Sequence, residues 1–279
     1  MQAVTMVEVV VLGSGTPNPD PARAGAAVAV VDGPAWVMID CGRGATQRAL
    51  AAGLDLAEVV AVLITHHHSD HLSDLATLAI TRWTAGASAP LRVVAPAGAA
   101  ADYARRCLAV FDDDSFYGQA ASSAGSRPTI TTDAFGASND IARVFDVDGW
   151  RASSVLVDHR PVAPAVGYRV ERGPISVVIS GDTAACDGVG RLATDAHVLV
   201  HEALLTARVS PALLEWNAGA RSVGELAALA RPRLLVLTHM IPAPTTDDDE
   251  RAYLDEVRDG GFTGPTVVAH DLLRLPISE

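Results

Sequence analysis

The sequence predicts an α/β fold made of two strand-rich halves packed face to face, and two observations predict it. Short Val/Ile/Leu-rich runs bounded by Gly, Pro or Asp recur along the chain, and segments with helical spacing of apolar residues lie between them. The runs fall into two groups, one on each side of a middle segment, so each half reads as a βα unit with its own sheet.

In the first half, "VEVVVLG", "AAVAVVDG", "AWVMIDCG", "VVAVLIT" and "LRVVAP" read as strands. Glu8 inside the first apolar run makes it a strand and not a leader peptide. Residues Gly44 to Asp55 have helical spacing and stop at Gly53, and Ser73 to Thr84 read as a helix capped by Ser73. The middle segment, 111–140, is rich in Ser, Gly, Ala and Asp with little periodicity, and is expected to be a loop-rich insertion. The second half offers "ASSVLVD", "VGYRVE", "ISVVISGD", "HVLVHE", "RLLVLTH" and "PTVVAHD" as strands. Its helix "RSVGELAALARP" has Ser222 and Glu225 at capping-box spacing and ends at Pro232. The acidic run Asp247 to Glu250 reads as a solvated helix start, because acids favour a helix N-terminus. The expectation is one domain over residues 1–279, with halves at about 1–110 and 141–279.

Composition narrows the function. With 279 residues and 49% hydrophobic content, the chain can bury one substantial core. A formal charge of −12 with no Lys/Arg run disfavours polyanions and anionic membranes. No apolar run reaches the roughly 20 residues that span a bilayer. The three cysteines, Cys41, Cys107 and Cys186, are widely spaced and odd in number, which fits a reducing compartment. A cytoplasmic protein is expected.

The chemistry gathers at strand ends. Five strands run into metal-competent side chains: His66-His67-His68-Ser69-Asp70-His71, then His159, Asp182, His201-Glu202 and His239. In a layered α/β fold such ends converge on one edge, where sites form. Imidazole and carboxylate suit zinc and similar divalent ions. Within the tight loop, His66 and His68 can point to one metal while Asp70 and His71 turn to a second. His67 falls on the opposite face and is left out, and His197 and His270 follow no ligand pattern.

These residues resemble the signature of the metallo-β-lactamase-fold hydrolases. "LGSGTPNPDPARAG", "MIDCGRG", "DHRPVAPAVGYRV", "SGDT", "HEAL" and "LTHM" follow in the order of the ribonuclease Z-like branch. The resemblance implies a four-layer αβ/βα sandwich. It implies that His66, His68 and His159 hold one ion, that Asp70, His71 and His239 hold a second, and that Asp182 bridges them. Two divalent ions are expected, zinc first, with manganese and iron as alternatives, and hydroxide at a dinuclear centre would be the nucleophile. By the same match, "HEAL" stands where the family has "HEAT", Leu204 replacing threonine. His201 would then be the general acid with Glu202 orienting it, and Asp70 joins them in the catalytic set.

The resemblance also implies a transfer-RNA-binding arm between "GYR" and "GDT", and here only "VERGPISVVIS" joins Arg169 to Gly181. The expected activity is therefore a phosphodiesterase acting on a small-molecule ester, with transfer RNA set aside as a partner, no membrane partner, and a homodimer as a family trait. Arylsulfatase or lactonase chemistry is the alternative, ahead of a single-metal oxidative or thioester-cleaving enzyme or a silent metal-binding protein. Asp20, Arg23, Trp83, Trp216 and Met240 are the expected specificity residues around the mouth.

Overall fold

The computed structural model describes residues 6–111 and 127–279. Two seven-stranded sheets form the centre. The first runs in the order β14-β1-β2-β3-β4-β5-β6, with β1 Val7–Gly13, β2 Ala27–Asp32, β3 Ala35–Ile39, β4 Val59–Leu63, β5 Leu91–Pro96, β6 Ile130–Phe135 and β14 Leu273–Ile277. The second runs β13-β12-β11-β10-β9-β8-β7, with β7 Ala142–Val147, β8 Trp150–Leu156, β9 Val166–Arg172, β10 Ile175–Ile179, β11 Val198–Leu204, β12 Leu234–Ile241 and β13 Thr266–Val268.

The apolar runs are continuous because both faces of each sheet are covered. Along β1, Val9 and Val11 join the core between the sheets, whereas Val10 and Leu12 join a second core beneath helices. That outer layer consists of α1 (Ala45–Ala51), the single turn α2 (Ser69–Leu72), α3 (Leu75–Thr84) and α4 (Ala99–Arg106). On the other side, Val177 and Val200 face inward, while Val178 and Leu199 pack under α5 (Asp187–Ala193), α6 (Ala220–Ala230) and α7 (Asp247–Asp259). Each such Val or Leu contributes about 1.5–3 kcal/mol through burial. The four-layer αβ/βα sandwich is present as expected.

Several local expectations change. The helix after the histidine loop begins at Leu75 with Asp74 at its N-cap, because Ser73 closes the separate turn Ser69–Leu72. Ser222 lies inside α6, whose N-cap is Gly219 with no side-chain cap, so the capping-box spacing there is coincidental. The acidic start of α7 is real: Thr246 and Asp249 form a reciprocal capping box. Part of the expected insertion, 112–126, lies outside the described residues. Its far end is a strand, since β6 pairs in parallel with β5 from Leu91↔Ile130 to Pro96↔Phe135. Backbone pairing and β-branched residues define this edge strand, and its half-exposed side chains show no buried apolar stripe to read. The last strand, β14, returns to the first sheet and pairs antiparallel with β1, so that sheet draws on both ends of the described chain. Among the described residues no helix is long and apolar enough to cross a membrane.

Two features fix the loop after β4 against the rest. Gly42 and Gly25 leave room for it: a Cβ at Gly42 would lie 1.9 Å from the Asp70 carbonyl oxygen, and one at Gly25 2.7 Å from it. From the second sheet, the buried Tyr168 hydroxyl donates to the Ile64 carbonyl at 2.8 Å, and the Val166 amide donates to the Thr65 carbonyl at 3.1 Å. Replacing Tyr168 by Phe removes the first of these bonds within the core. We expect Tyr168→Phe to lower unfolding free energy by about 1–3 kcal/mol in urea titration with little change in m-value.

Candidate metal centre

β4 stops at Leu63, and the chain turns through Thr65 to His71 between the two sheets. Asp40, at the end of β3, sets this turn. Its carboxylate accepts from the Thr65 amide at 2.8 Å and the Thr65 hydroxyl at 2.9 Å, and its Oδ2 lies 2.8 Å from Nδ1 of His71. The Thr65 hydroxyl in turn meets His66 Nδ1 at 3.0 Å. Both imidazoles are thus held by Nδ1, which leaves Nε2 as the free nitrogen. Nε2 of His66 and Nε2 of His71 are buried without a hydrogen-bond partner, which suits metal donors whose outer nitrogen is held by the protein.

The other donors arrive from the second sheet. His159 follows β8, its Nδ1 held by the Trp216 carbonyl at 3.0 Å and its Nε2 3.3 Å from His68 Nδ1. Asp182 follows β10 in a turn whose Gly181 has φ 63°. Its Oδ1 lies 3.2 Å from His71 Nε2, and its Oδ2 lies 3.9 Å from His66, 3.9 Å from His159 and 3.5 Å from His239. His239 sits on β12 where the pairing with β11 slips, from Glu202↔Thr238 to Leu204↔Ile241. The bulge puts His239 at φ 49° and breaks the alternation that would send its side chain under the helices with Leu237. Its Nε2 reaches Asp70 Oδ2 at 3.2 Å.

Three overlapping sets could therefore each hold an ion, their donor atoms within 4.8 Å of one another: His66, His68, His159 and Asp182; Asp70, His71 and His239; and Asp182, Glu202 and His239. The structure thus brings together the residues the sequence grouped, with Asp182 in the first set and 3.2 Å and 3.5 Å from His71 and His239 of the second. His67 is in none.

The electrostatics fit cation binding. Burial, reinforced by neighbouring His71, holds His66 well below the ordinary imidazole range, so it stays neutral. Burial also lowers His68, aided by His159. Burial opposes ionisation of Asp182, yet the nearby His239 and His71 outweigh it and keep the carboxyl well below its usual range. Asp70 behaves likewise, its burial outweighed by the His239 hydrogen bond and the charge of His71. Burial works against a proton on His71, but the Asp182 and Asp40 carboxylates raise it well above its ordinary value.

His201 and Glu202 part company. Val198 and Val200 face the inter-sheet core and Leu199 the helices, so Glu202 turns inward to the donors and His201 outward. His201 is fully buried, its Nδ1 donating to the Glu202 carbonyl at 2.7 Å, and burial lowers it to about 4. Burial and the nearby Asp182 raise Glu202 well above the carboxylate range. Its Oε1 accepts from the Thr183 amide, while Oε2 lies 4.0 Å from His239 Nδ1.

Sequence reasoning missed Asp40, although the run "MIDCGRG" contains it. An acid placed directly after an apolar strand, beside one that ends in histidines, was the available signal. Of the expected mouth residues, Asp20, Arg23 and Met240 line one cleft of about 270 Å³ with Ile241 and Pro242. Arg23 is mostly spent within the fold, donating to Ser14 Oγ at 2.8 Å and to the Ala269 carbonyl at 3.0 Å. Met240 belongs to the helix-covered core. Trp216 contributes its carbonyl, and Trp83 lies on α3, in the outer helix layer. His197 is bound to Ser176 and His270 to the Asp271 carbonyl, neither near the donors.

Residues 35–240 match the model of the beta-lactamase superfamily domain. Ribonuclease Z of Mycolicibacterium paratuberculosis is 34% identical over an alignment of 282 positions that covers 98% of this chain and 99% of that one. The structure of the metallo-beta-lactamase fold protein YhfI from Bacillus subtilis superposes with TM-score 0.73 at 17% identity, covering 98% of this chain and all of that one. The short form of human tRNase Z gives TM-score 0.68 at 19% identity, covering 96% and 98%. The mycobacterial relative corrects the expected partners. An alignment spanning nearly all of both chains leaves no room for a long extra arm in the relative, which nevertheless bears a ribonuclease name. A missing arm is therefore no ground for setting RNA aside in favour of a small ester.

Two outcomes are expected from this geometry. Asp40→Asn weakens the hold on His71 and Thr65, so zinc affinity in a competitive chelator titration should fall about 10–100-fold. His201 carries fewer protons folded than unfolded between its ordinary 6.5 and about 4. Its contribution is complete above pH 6.5 and lost as pH falls towards 4, about 3 kcal/mol in all. His201→Gln should flatten that part of the stability–pH curve; an unchanged slope contradicts the assignment.

Proposed function

The chain belongs to the metallo-β-lactamase superfamily, in its ribonuclease Z-like branch, and from that premise we propose that it is a dinuclear metal-dependent phosphodiesterase that cleaves RNA. The observation that carries the reading is the convergence of two donor sets on Asp182. His66, His68 and His159 would hold one ion and Asp70, His71 and His239 the other, with Asp182 shared, and the imidazole-rich set favours zinc over harder ions. When bound, the pair would acidify a water and neutralise charge on a phosphate group.

The chain's own residues supply the rest. Asp70, kept ionised beside His239, is placed to take a proton from the attacking water. Glu202 is a positioning residue: with its charge disfavoured by burial and by Asp182, it fixes the Asp182 turn through the Thr183 amide and faces the outer nitrogen of His239. His201 is neutral at neutral pH and bonded to its neighbour's carbonyl, so its part is to fix the end of β11. Relatives named ribonuclease Z support RNA as the substrate class, and the fold shared with human tRNase Z accords with it. A cytoplasmic location accords with such a substrate.

The test uses zinc- or manganese-loaded protein with a transfer-RNA precursor carrying a 3′ trailer, alongside a bis-aryl phosphate. We expect endonucleolytic cleavage that chelator abolishes and metal restores, and a loss of several orders of magnitude in Asp182→Ala. Aryl phosphodiester turnover without RNA cleavage overturns the substrate, and chelator-insensitive cleavage overturns the metal mechanism.

A further inference from the structure

All 21 basic residues of the chain are arginine, and three of them, Arg23, Arg43 and Arg48, line one open cleft of about 600 Å³ with Pro21, Gly44 and Gln47. The cleft lies one backbone layer from the metal loop, because Gly25 and Gly42, which press against the Asp70 carbonyl, directly follow Ala24 and precede Arg43. It shares Pro21 and Arg23 with the 270 Å³ cleft whose far wall, Met240 to Ala243, begins directly after His239. The two clefts adjoin at Pro21 and Arg23, with Asp20 on the shared loop, and their walls neighbour the candidate metal centre along the chain at His239 and at the Gly25 and Gly42 contacts with Asp70.

Arg23 is spent within the fold, on Ser14, Ala269, Pro244 and Asp20, whereas Arg43 and Arg48 are held in place with donors to spare. Nη2 of Arg43 is fixed by the Thr16 carbonyl at 2.9 Å and the Asn18 carbonyl at 3.3 Å. Among the described residues Arg43 has no carboxylate within ion-pair distance, and its Nε and Nη1 meet no acceptor. Arg48 places Nε on Asp271 at 2.9 Å and Nη2 on the Ala22 carbonyl at 3.3 Å, with Nη1 left over and the side chain 31% exposed. Asp271 is itself occupied by the Ser14 amide and hydroxyl and by the Ala24 amide, so little of its charge reaches the cleft. A planar guanidinium fixed on one side by carbonyls offers its remaining N–H groups at little ordering cost, which suits phosphate oxygens.

We propose that this cleft binds the phosphate backbone of the RNA strand leaving the metal centre, in place of a protruding arm. The inference rests on the reading of RNA as substrate, and supplies the local basic patch that a chain of formal charge −12 needs.

Fluorescence anisotropy with the metal-loaded protein and a labelled single-stranded oligodeoxynucleotide tests it, because DNA presents the same phosphates without being a ribonuclease substrate. Arg43→Gln and Arg48→Gln should each weaken binding about five- to tenfold and make the salt dependence of log affinity shallower by ~0.7. Arg43→Lys should recover most of the slope, since it keeps the charge. Arg258→Gln, a remote surface arginine paired with Asp255, removes the same charge and should leave binding unchanged. Melting curves and metal content identify any variant that fails to fold, and Arg48→Gln and Arg43→Lys stand in if Arg43→Gln does. Equal affinity and slope in wild type and folded cleft variants, an equal loss in Arg258→Gln, or no binding by wild type overturns the proposal. RNA left uncut while these binding differences hold overturns the proposed activity and leaves the cleft assigned.

Discussion

One buried carboxylate organises the candidate centre. Asp40 ties down the Thr65 amide, the Thr65 hydroxyl and the His71 ring at once, with its own backbone in the left-handed region at φ 59°. Without that anchor, His66 and His71 would be buried with both ring nitrogens free to choose a partner. With it, the ring nitrogens of His66 and His71 divide into a held one and a bare one, and the bare ones point where an ion would sit. The small residues around the loop serve the same end: Gly25 and Gly42 allow the backbone to close on Asp70.

The site is also an electrostatic compromise among closely packed acids and histidines. Asp182 and Glu202 come together with His71 and His239 in a space walled by Val200, Ile179 and Val28, and Asp70 reaches His239 at 3.2 Å. The acids respond differently: the histidine neighbours lower Asp70 and Asp182, while burial and Asp182 raise Glu202. Burying so many polar atoms close together is costly unless each finds a partner, which is why the unpartnered Nε2 of His66 reads as a metal donor.

Much of this was legible in the sequence because it rests on short-range pattern. Apolar runs buried on both faces, and histidines or acids at strand ends, can be seen without coordinates, and they gave the layered fold and the convergence of His66, His68, His159, Asp182 and His239. What escaped depended on geometry between distant segments. β6 and β14 carry half-exposed side chains and are strands by virtue of their neighbours, β5 and β1. The separation of Glu202 from His201 follows from strand alternation, whereas His239 escapes the same alternation through a bulge that no local pattern announces. The importance of Asp40 comes from a contact thirty-one positions away in the chain.

The return of β14 to the first sheet has a bearing on biosynthesis. Asp271, just before that strand, holds Ser14 and Ala24, while Arg274 on the strand pairs with Glu8 at a separation of 266 residues. The loop beside both clefts therefore lacks its support until residues 271–277 have left the ribosome. A chain stalled shortly before Asp271 would carry every proposed metal ligand and the Asp40 anchor, but not the contacts that steady the neighbouring wall.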